Sequence, residues 1–279
     1  MNIRGFFINL DKSTDRRKTI EDNIRGVGMD GVITRFAARA GDGRPSVITK
    51  NELGCFLSHK EIIDTADNNE VVMIFEDDAH FTKKFKKSIG AIFKDMAFGW
   101  DVIFFGQMVD YSDVKMVHKF LNFKKLAGDI SSEEFSKFAI LNAAKFYTWG
   151  AFGYAVHPRA LPKLRGYLAQ SEQDGFKHQV DVYYADLIRE GKLNGGIVFP
   201  YIVGVNPDFE STIDDRQGGA DVPLHNAMVN LFVVGGDGEK LKTDAIRRLM
   251  AKPLDADAFI ASHVIYERYS RKKARKPPS

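Results

Sequence analysis

Cysteine is nearly missing from this chain: Cys55 is the only one in 279 residues. A single cysteine excludes an intrachain disulfide and fits a reducing compartment. Long apolar runs are missing too, since no stretch approaches the roughly 20 apolar residues of a membrane span. The opening residues, Met1-Asn-Ile-Arg-Gly-Phe-Phe-Ile-Asn-Leu-Asp, lack the length and cleavage region of a secretory leader. A large excess of one charge sign is missing as well, and a net +3 gives no argument for nucleic acid. No internal repeat is visible. These absences set the expectation of a soluble cytoplasmic protein. What is present is core-forming material: 44% apolar residues, 12% aromatic, and 22 phenylalanines. That suffices for one large domain or two small ones. The charge is uneven only at the end, where Arg271, Lys272, Lys273, Arg275 and Lys276 stand without an acid.

The order of elements is legible from periodicity. Ile3–Asn9 reads as a first strand, and Asp11-Lys-Ser-Thr-Asp supplies cap-type residues for a helix from about Asp15. Ile20, Ile24 and Val27 recur at helical spacing, and Gly26 and Gly28 close the helix. Val32–Ala37 is a second strand, and Gly41-Asp-Gly-Arg-Pro is a loop. Asn51–Ala66 reads as a helix that Asp67-Asn-Asn breaks. The strand at Val71, a helix near Phe85–Met96 and the strand Val102–Phe105 follow. This β-α-β alternation implies parallel strands with right-handed crossovers. Tyr111–Phe146 has no clean periodicity and reads as a mobile loop over a site. Thr148–Val156 is a strand, Pro158 opens a helix through about Leu168, and Val180–Arg189 is helical. Ile197–Val203 is the last clear strand, and from Leu224 the pattern is helical, broken at Gly235-Gly-Asp-Gly.

Three clusters carry chemistry. From Val71 to Ala79 the chain reads V-V-M-I-F-E-D-D-A, so a buried-type strand ends in Glu76, Asp77 and Asp78. Adjacent acids repel unless a cation or cationic side chain sits among them. In open α/β sheets ligands bind beyond the carboxyl ends of the strands. One reading is a helix N-terminus, whose dipole favours acids. The other is an oxygen site for Mg²⁺ or Mn²⁺, with Glu76 and Asp78 on one side if the extended geometry persists. The second cluster, Asn9-Leu-Asp-Lys-Ser-Thr-Asp-Arg-Arg, follows the first strand. Arg16 and Arg17 either clamp phosphate or carboxylate or stand solvated on a capped helix. The third is Glu52-Leu-Gly-Cys-Phe-Leu-Ser-His, where Ser58 and His59 either meet a ligand or serve structure. Cys55 has apolar neighbours and reads as core rather than nucleophile. No serine-hydrolase triad is suggested, and a metal hydrolase would need more His or Asp at strand ends.

Taken together, N-L-D-(x)₃-D-R-R near the start, E-L-G-C-x-L-S-H near residue 55 and a strand ending E-D-D near 77 resemble glycosyltransferase family 25. That family holds lipopolysaccharide and lipooligosaccharide galactosyltransferases and the collagen galactosyltransferases. A looser likeness continues through Trp149-Gly-Ala-Phe-Gly-Tyr-Ala-Val-His-Pro-Arg-Ala-Leu, Val180-Asp181 and Ser211-Thr212. The resemblance implies an α/β fold of GT-A type, a mostly parallel Rossmann-like sheet flanked by helices. Residues 1–217 would form the transferase domain, with a nucleotide-sugar-binding half (1–110) and an acceptor half (147–217). Residues 218–279 would be a helical extension with a basic tail.

The resemblance also implies a UDP-sugar donor, Mn²⁺ (or Mg²⁺), and inversion at the anomeric centre. Asp78 is the leading metal ligand, with Glu76 and Asp77 close behind. Glu76 replaces the first Asp of the D-x-D form, and its longer side chain can meet ribose, or metal through water. Asn9, Leu10, Arg16, Arg17, Ser58, His59 and Asp77 would line the donor, and Arg216 would meet its diphosphate. Inversion needs a base for the acceptor hydroxyl. Asp181 is the candidate, with an N-cap as its equal alternative and Glu210, Asp214 and Asp215 as rivals. His225 is either a third metal ligand or a surface histidine. The expected activity is transfer of a hexose, galactose foremost, to a lipopolysaccharide acceptor. The alternatives are glucosyl or N-acetylglucosaminyl transfer, or a degenerate protein that only binds a nucleotide sugar. Arg268–Lys276 is either a solvated end or a peripheral contact with the cytoplasmic face of the membrane, with Tyr266 and Tyr269 beside it. Each basic residue near anionic lipid contributes about 1 kcal/mol.

Overall fold

The computed structural model describes residues 2–96, 99–109, 138–209 and 221–233. The first three parallel strands are built as the periodicity implies. Strand β1 (Asn2–Asn9) leads into helix α1 (Thr14–Gly26), and β2 (Ile33–Ala37) leads into α2 (Lys50–Thr65) and β3 (Glu70–Glu76). Both β2 and β3 pair parallel with β1, with Gly5 opposite Ile33 and Ile8 opposite Glu76. Val71 through Phe75 are buried, as a central strand covered on both faces requires.

A short strand β4 (Ala79–Phe81) follows the acids, before helix α3 (Phe85–Met96) and β5 (Val102–Phe104). Next come β6 (Ala139–Asn142), the short helix α4 (Ala143–Phe146), β7 (Gly153–Val156) and a 3-10 turn (Pro158–Ala160). Helices α5 (Leu161–Gln173) and α6 (Val180–Arg189), strands β8 (Gly195–Phe199) and β9 (Val203–Val205), and α7 (Asp221–Leu231) complete the order. Seven strands form one sheet in the order β2-β1-β3-β7-β5-β8-β6, and β4 pairs with β9 in a separate ribbon.

The sheet is mostly parallel, as the alternation implied for its first strands, with two antiparallel exceptions. β5 and β8 are parallel neighbours, but β7 lies antiparallel between β3 and β5, and β6 runs antiparallel to β8. A β-α-β alternation fixes crossover hand and says nothing of which strand fills a skipped slot. Gly153 suits β7 to that slot: a Cβ there would stand 3.2 Å from the Phe75 ring and from Val203. The two halves expected from the sequence thus contribute strands to one sheet. β6 and α4 fall inside the stretch read as a loop, and residues 111–137 of it lie outside the described ones.

Helix α2 is fixed at both ends. Thr49 and Glu52 form a reciprocal capping box, the Thr49 side chain accepting from the Glu52 N–H and the Glu52 carboxylate from the Thr49 N–H. At the other end Arg165 of α5 donates to the Ile63 carbonyl (2.9 Å) and the Ala66 carbonyl (2.5 Å). Helix α7 is tied to β9 by Asn230, which donates to the Val205 carbonyl at 2.8 Å and accepts from its N–H at 3.2 Å. No described helix is long and apolar enough to cross a membrane. The consequence for function is an edge: the loops after β1 and β3 emerge side by side at the carboxyl ends of parallel strands.

Candidate functional site

The acids at that edge point in three directions. After Glu76 the chain turns, so Asp77 and Asp78 leave the extended geometry. Asp77 is held: it accepts from Asn9 Nδ2 at 2.7 Å and from Arg16 Nε at 2.7 Å, and Arg16 makes a second contact through its other guanidinium nitrogen. Asn9 is 1% exposed and serves as a hub. It also donates to the Ser13 carbonyl at 3.1 Å and accepts from Arg35 Nε at 3.1 Å. Arg16 stands 3.5 Å from Asp78 Oδ2 and lies over the Phe209 ring, 5.1 Å from its centroid.

Asp78 is held less completely. Its Oδ1 is shut away from solvent with no hydrogen-bond partner, although the side chain as a whole is 23% exposed. Burial, then the neighbouring Glu76, push its pKa up to about 7, with Arg16 opposing them and Asp77 adding to the rise. Its backbone carbonyl accepts from the Asn206 N–H at 2.7 Å, tying the turn to the end of β9. A desolvated carboxylate oxygen without a donor is costly unless protonated or paired with a cation. An oxygen donor of this kind fits a hard cation such as Mg²⁺ or Mn²⁺.

Glu76 reaches toward α2 instead. Its Oε1 lies 3.7 Å from His59 Nε2 and 4.0 Å from Cys55 Sγ. His59 stacks on Tyr154 with 11° between the rings, and its Nδ1 is 2.9 Å from the Tyr154 hydroxyl. That hydroxyl is 3.1 Å from Tyr184. Burial first, and then Glu76, Asp181 and Asp78, push the Cys55 thiol well above its usual range.

Asp181 is the second residue of α6, whose N-cap is Gln179, so it is not the cap. Its carboxylate accepts from the Gly150 N–H at 2.9 Å and the Val182 N–H at 2.8 Å. Burial raises its pKa; the two N–H donors pull the other way, and Glu76 adds to the rise. Gly150 presents its N–H from a backbone with φ of +101°, where a Cβ would meet the Met108 nitrogen at 2.8 Å. Tyr147 OH is buried without a hydrogen-bond partner, and burial first, then Asp181, push its pKa well above the usual range. Trp149 meets His225 of α7 edge-on, with centroids 5.4 Å apart.

The structure therefore gathers Asn9, Arg16, Asp77, Asp78, Glu76 and His59 around one edge, with Asp181 within electrostatic reach of Glu76. Three of the sequence candidates do other work. Arg17 pairs with Glu21 on the exposed face of α1. Leu10 contributes a carbonyl that accepts from the Ser13 N–H. Ser58 is buried with both roles spent on backbone, donating to the Gly54 carbonyl at 2.7 Å and accepting from the Arg39 N–H at 2.8 Å. Glu210, Ser211, Thr212, Asp214, Asp215, Arg216 and the basic end fall outside the described residues.

Cys55, Tyr154, Tyr184 and Gly150 belong to the neighbourhood; the sequence reading gave no site role to the last three and read Cys55 as core. For Cys55 the signal was present, since it lies four residues before His59 and so shares a helix face with it.

Comparison with known proteins agrees in one direction. The family model described as "Glycosyltransferase family 25 (LPS biosynthesis protein)" matches residues 38–184, just over half of the chain. A "Glycosyltransferase 25 family member" of Aedes aegypti is 33% identical over 110 residues, covering 37% of this chain and 17% of that protein. One from Anopheles gambiae is 28% identical over 129 residues, 37% of this chain and 21% of that protein. A "Probable inactive glycosyltransferase 25 family member 3" of Rattus norvegicus is 37% identical over 65 residues, 22% of this chain and 11% of that protein. The matched segments thus span about a fifth or less of these relatives.

Proposed function

This chain belongs to glycosyltransferase family 25, and on that premise we propose that it transfers a hexose, galactose foremost, from a UDP-sugar to a lipopolysaccharide or lipooligosaccharide acceptor. The reading includes a GT-A type donor site, inversion, and a divalent cation, Mn²⁺ or Mg²⁺, held by Asp78 and Glu76. The observation that carries it is the buried, unpartnered Oδ1 of Asp78 at the carboxyl edge of parallel strands. When bound, the cation offsets negative charge on the departing diphosphate.

The protein's own residues do the rest. Asn9 and Arg16 lock Asp77 and so fix the turn that presents Asp78. Arg16 remains close enough to Asp78 to limit repulsion among the acids. Asp181 takes the proton from the acceptor hydroxyl as the new glycosidic bond forms. Its burial supports this role, because burial raises its pKa and makes the carboxylate a stronger base than a solvated one. The N–H groups of Gly150 and Val182 fix its orientation.

The name of the rat relative keeps a second reading alive: nucleotide-sugar binding without turnover. A panel of UDP-sugars separates donor identities and tests binding. With Mn²⁺ present, the true donor at about 100 times its Kd stabilises the fold by about 2.7 kcal/mol, and the others by less. No thermal shift with any UDP-sugar defeats both readings. A shift without UDP release favours the second. The basic end at residues 268–279 is proposed to hold the protein on anionic lipid at the cytoplasmic face. Equal sedimentation with liposomes before and after its removal would refute this.

A further inference from the structure

We propose that Cys55, His59 and Glu76 form a second cation site, selective for a borderline-soft ion such as Zn²⁺, on the α2 side of the acidic turn. Cys55 Sγ, a ring nitrogen of His59 and a Glu76 carboxylate oxygen all lie within 4.8 Å of one another. His59 is the independent pointer. It is 0% exposed, its Nε2 has no hydrogen-bond partner, and that atom faces Glu76 Oε1 at 3.7 Å. An orphaned nitrogen in a buried position needs a partner that the protein itself does not supply.

The far side of the ring is already arranged as a metal-bound histidine requires. Nδ1 sits 2.9 Å from the Tyr154 hydroxyl, which sits 3.1 Å from that of Tyr184. With the hydrogen bonds running His59 to Tyr154 to Tyr184, Nδ1 carries the proton and Nε2 presents its lone pair. Outer partners of this kind fix tautomer and ring orientation in metal sites. Stacking on Tyr154 holds the ring plane.

The donor set selects the ion. Sulfur, imidazole nitrogen and one carboxylate oxygen suit Zn²⁺ or Co²⁺, whereas Mg²⁺ and Mn²⁺ prefer oxygen alone. Ligand atoms around a tetrahedral zinc stand roughly 3.3–3.6 Å apart, from its usual bond lengths. The 3.7 Å and 4.0 Å separations from Glu76 need only a small contraction, and the Cys55–His59 pair, within 4.8 Å, closes further. Cys55 and Glu76 keep partial exposure and can supply it by rotation, while His59 stays fixed. Three protein ligands leave a fourth position open.

Glu76 is shared between this site and the oxygen site at Asp78. Zn²⁺ at Cys55 and His59 draws Glu76 toward α2 and weakens the Mn²⁺ site, so it inhibits turnover. That consequence rests on the glycosyl-transfer reading; the site itself does not.

The test is a Co²⁺ titration of the metal-free full chain without nucleotide. Because Cys55 is the only cysteine, any thiolate-to-cobalt charge-transfer band reports it. One equivalent should saturate the band, Zn²⁺ should abolish it, and Glu76→Gln and His59→Gln should each weaken Co²⁺ at least tenfold. Asp78→Asn should leave the affinity within about twofold. No band in excess Co²⁺ overturns the site. So does a band whose midpoint is unmoved in Glu76→Gln, a near-isosteric change at a partly exposed position that leaves the His59–Tyr154 contact in place. Loss of the band in Asp78→Asn places the ion in the acidic turn and overturns the separation. If the band forms but Zn²⁺ spares Mn²⁺-dependent turnover, the site stands and the coupling through Glu76 falls.

Discussion

Of the acids beyond β3, Asp77 is a structural tie and Asp78 is the chemically available one. Asp77 is matched by Asn9 and Arg16. Asp77→Asn leaves a partly buried guanidinium short of its ion pair, and about 2 kcal/mol of stability should be lost in urea unfolding. Asp78 makes a different prediction. Its folded-state pKa is raised from 3.8 to about 7, so folding favours the protonated form. Stability from this group is complete below about pH 4 and falls as pH rises toward about 7. The metal-free chain should therefore melt lower at pH 8 than at pH 5, and Mn²⁺ should restore more at pH 8. Asp78→Asn should flatten the profile; an unchanged slope in differential scanning fluorimetry assigns it to another group. The triplet was legible because a strand of apolar residues ended on it. Which way each acid points was not, because that depends on the turn after Glu76, where the period-two rule stops applying.

Helix α2 is the element that supplies Cys55 and His59, and its position depends on its ends. Thr49→Ala removes half of a capping box and should cost about 1 kcal/mol by chemical denaturation. The same Glu52 accepts from Gln179 at 2.7 Å, which links the start of α2 to the start of α6 and thus to Asp181. The segment ahead of β7 has a comparable role. Gly150→Ala forces a side chain into a positive-φ position against the Met108 backbone. It should cost roughly 1–3 kcal/mol. In kinetics it should lower kcat more than it raises KM, because the displaced N–H is one that orients Asp181.

Elements with strong local patterns, such as α2 and β3, matched their sequence readings within a residue or so. β4 was missed because three residues between acids and a helix carry too little periodicity. β7 was found, yet read too long. Residues 148–152 look strand-like, but Gly150 breaks the extended run before Gly153.

For the whole molecule, one sheet carries both ends of the site. The acids follow β3, Asp181 stands in the first turn of α6 and is held by Gly150 just ahead of β7, and β7 between β3 and β5 joins the two halves. This joining was illegible in sequence, because sheet order is set by long-range packing and not by local pattern. Its keystone is aromatic: Phe75, Phe81, Phe85 and Phe105 pack ring to ring, with Phe75 and Phe81 centroids 4.6 Å apart. Phe105→Ala should cost about 3–5 kcal/mol.

The most direct test of the proposed function is Mn²⁺-dependent UDP release from UDP-galactose by the full chain, wild type beside Asp78→Asn. Wild type should release UDP, EDTA should stop it, and Asp78→Asn should fall on the order of a hundredfold with unchanged circular dichroism. Release by Asp78→Asn at the wild-type rate defeats the account.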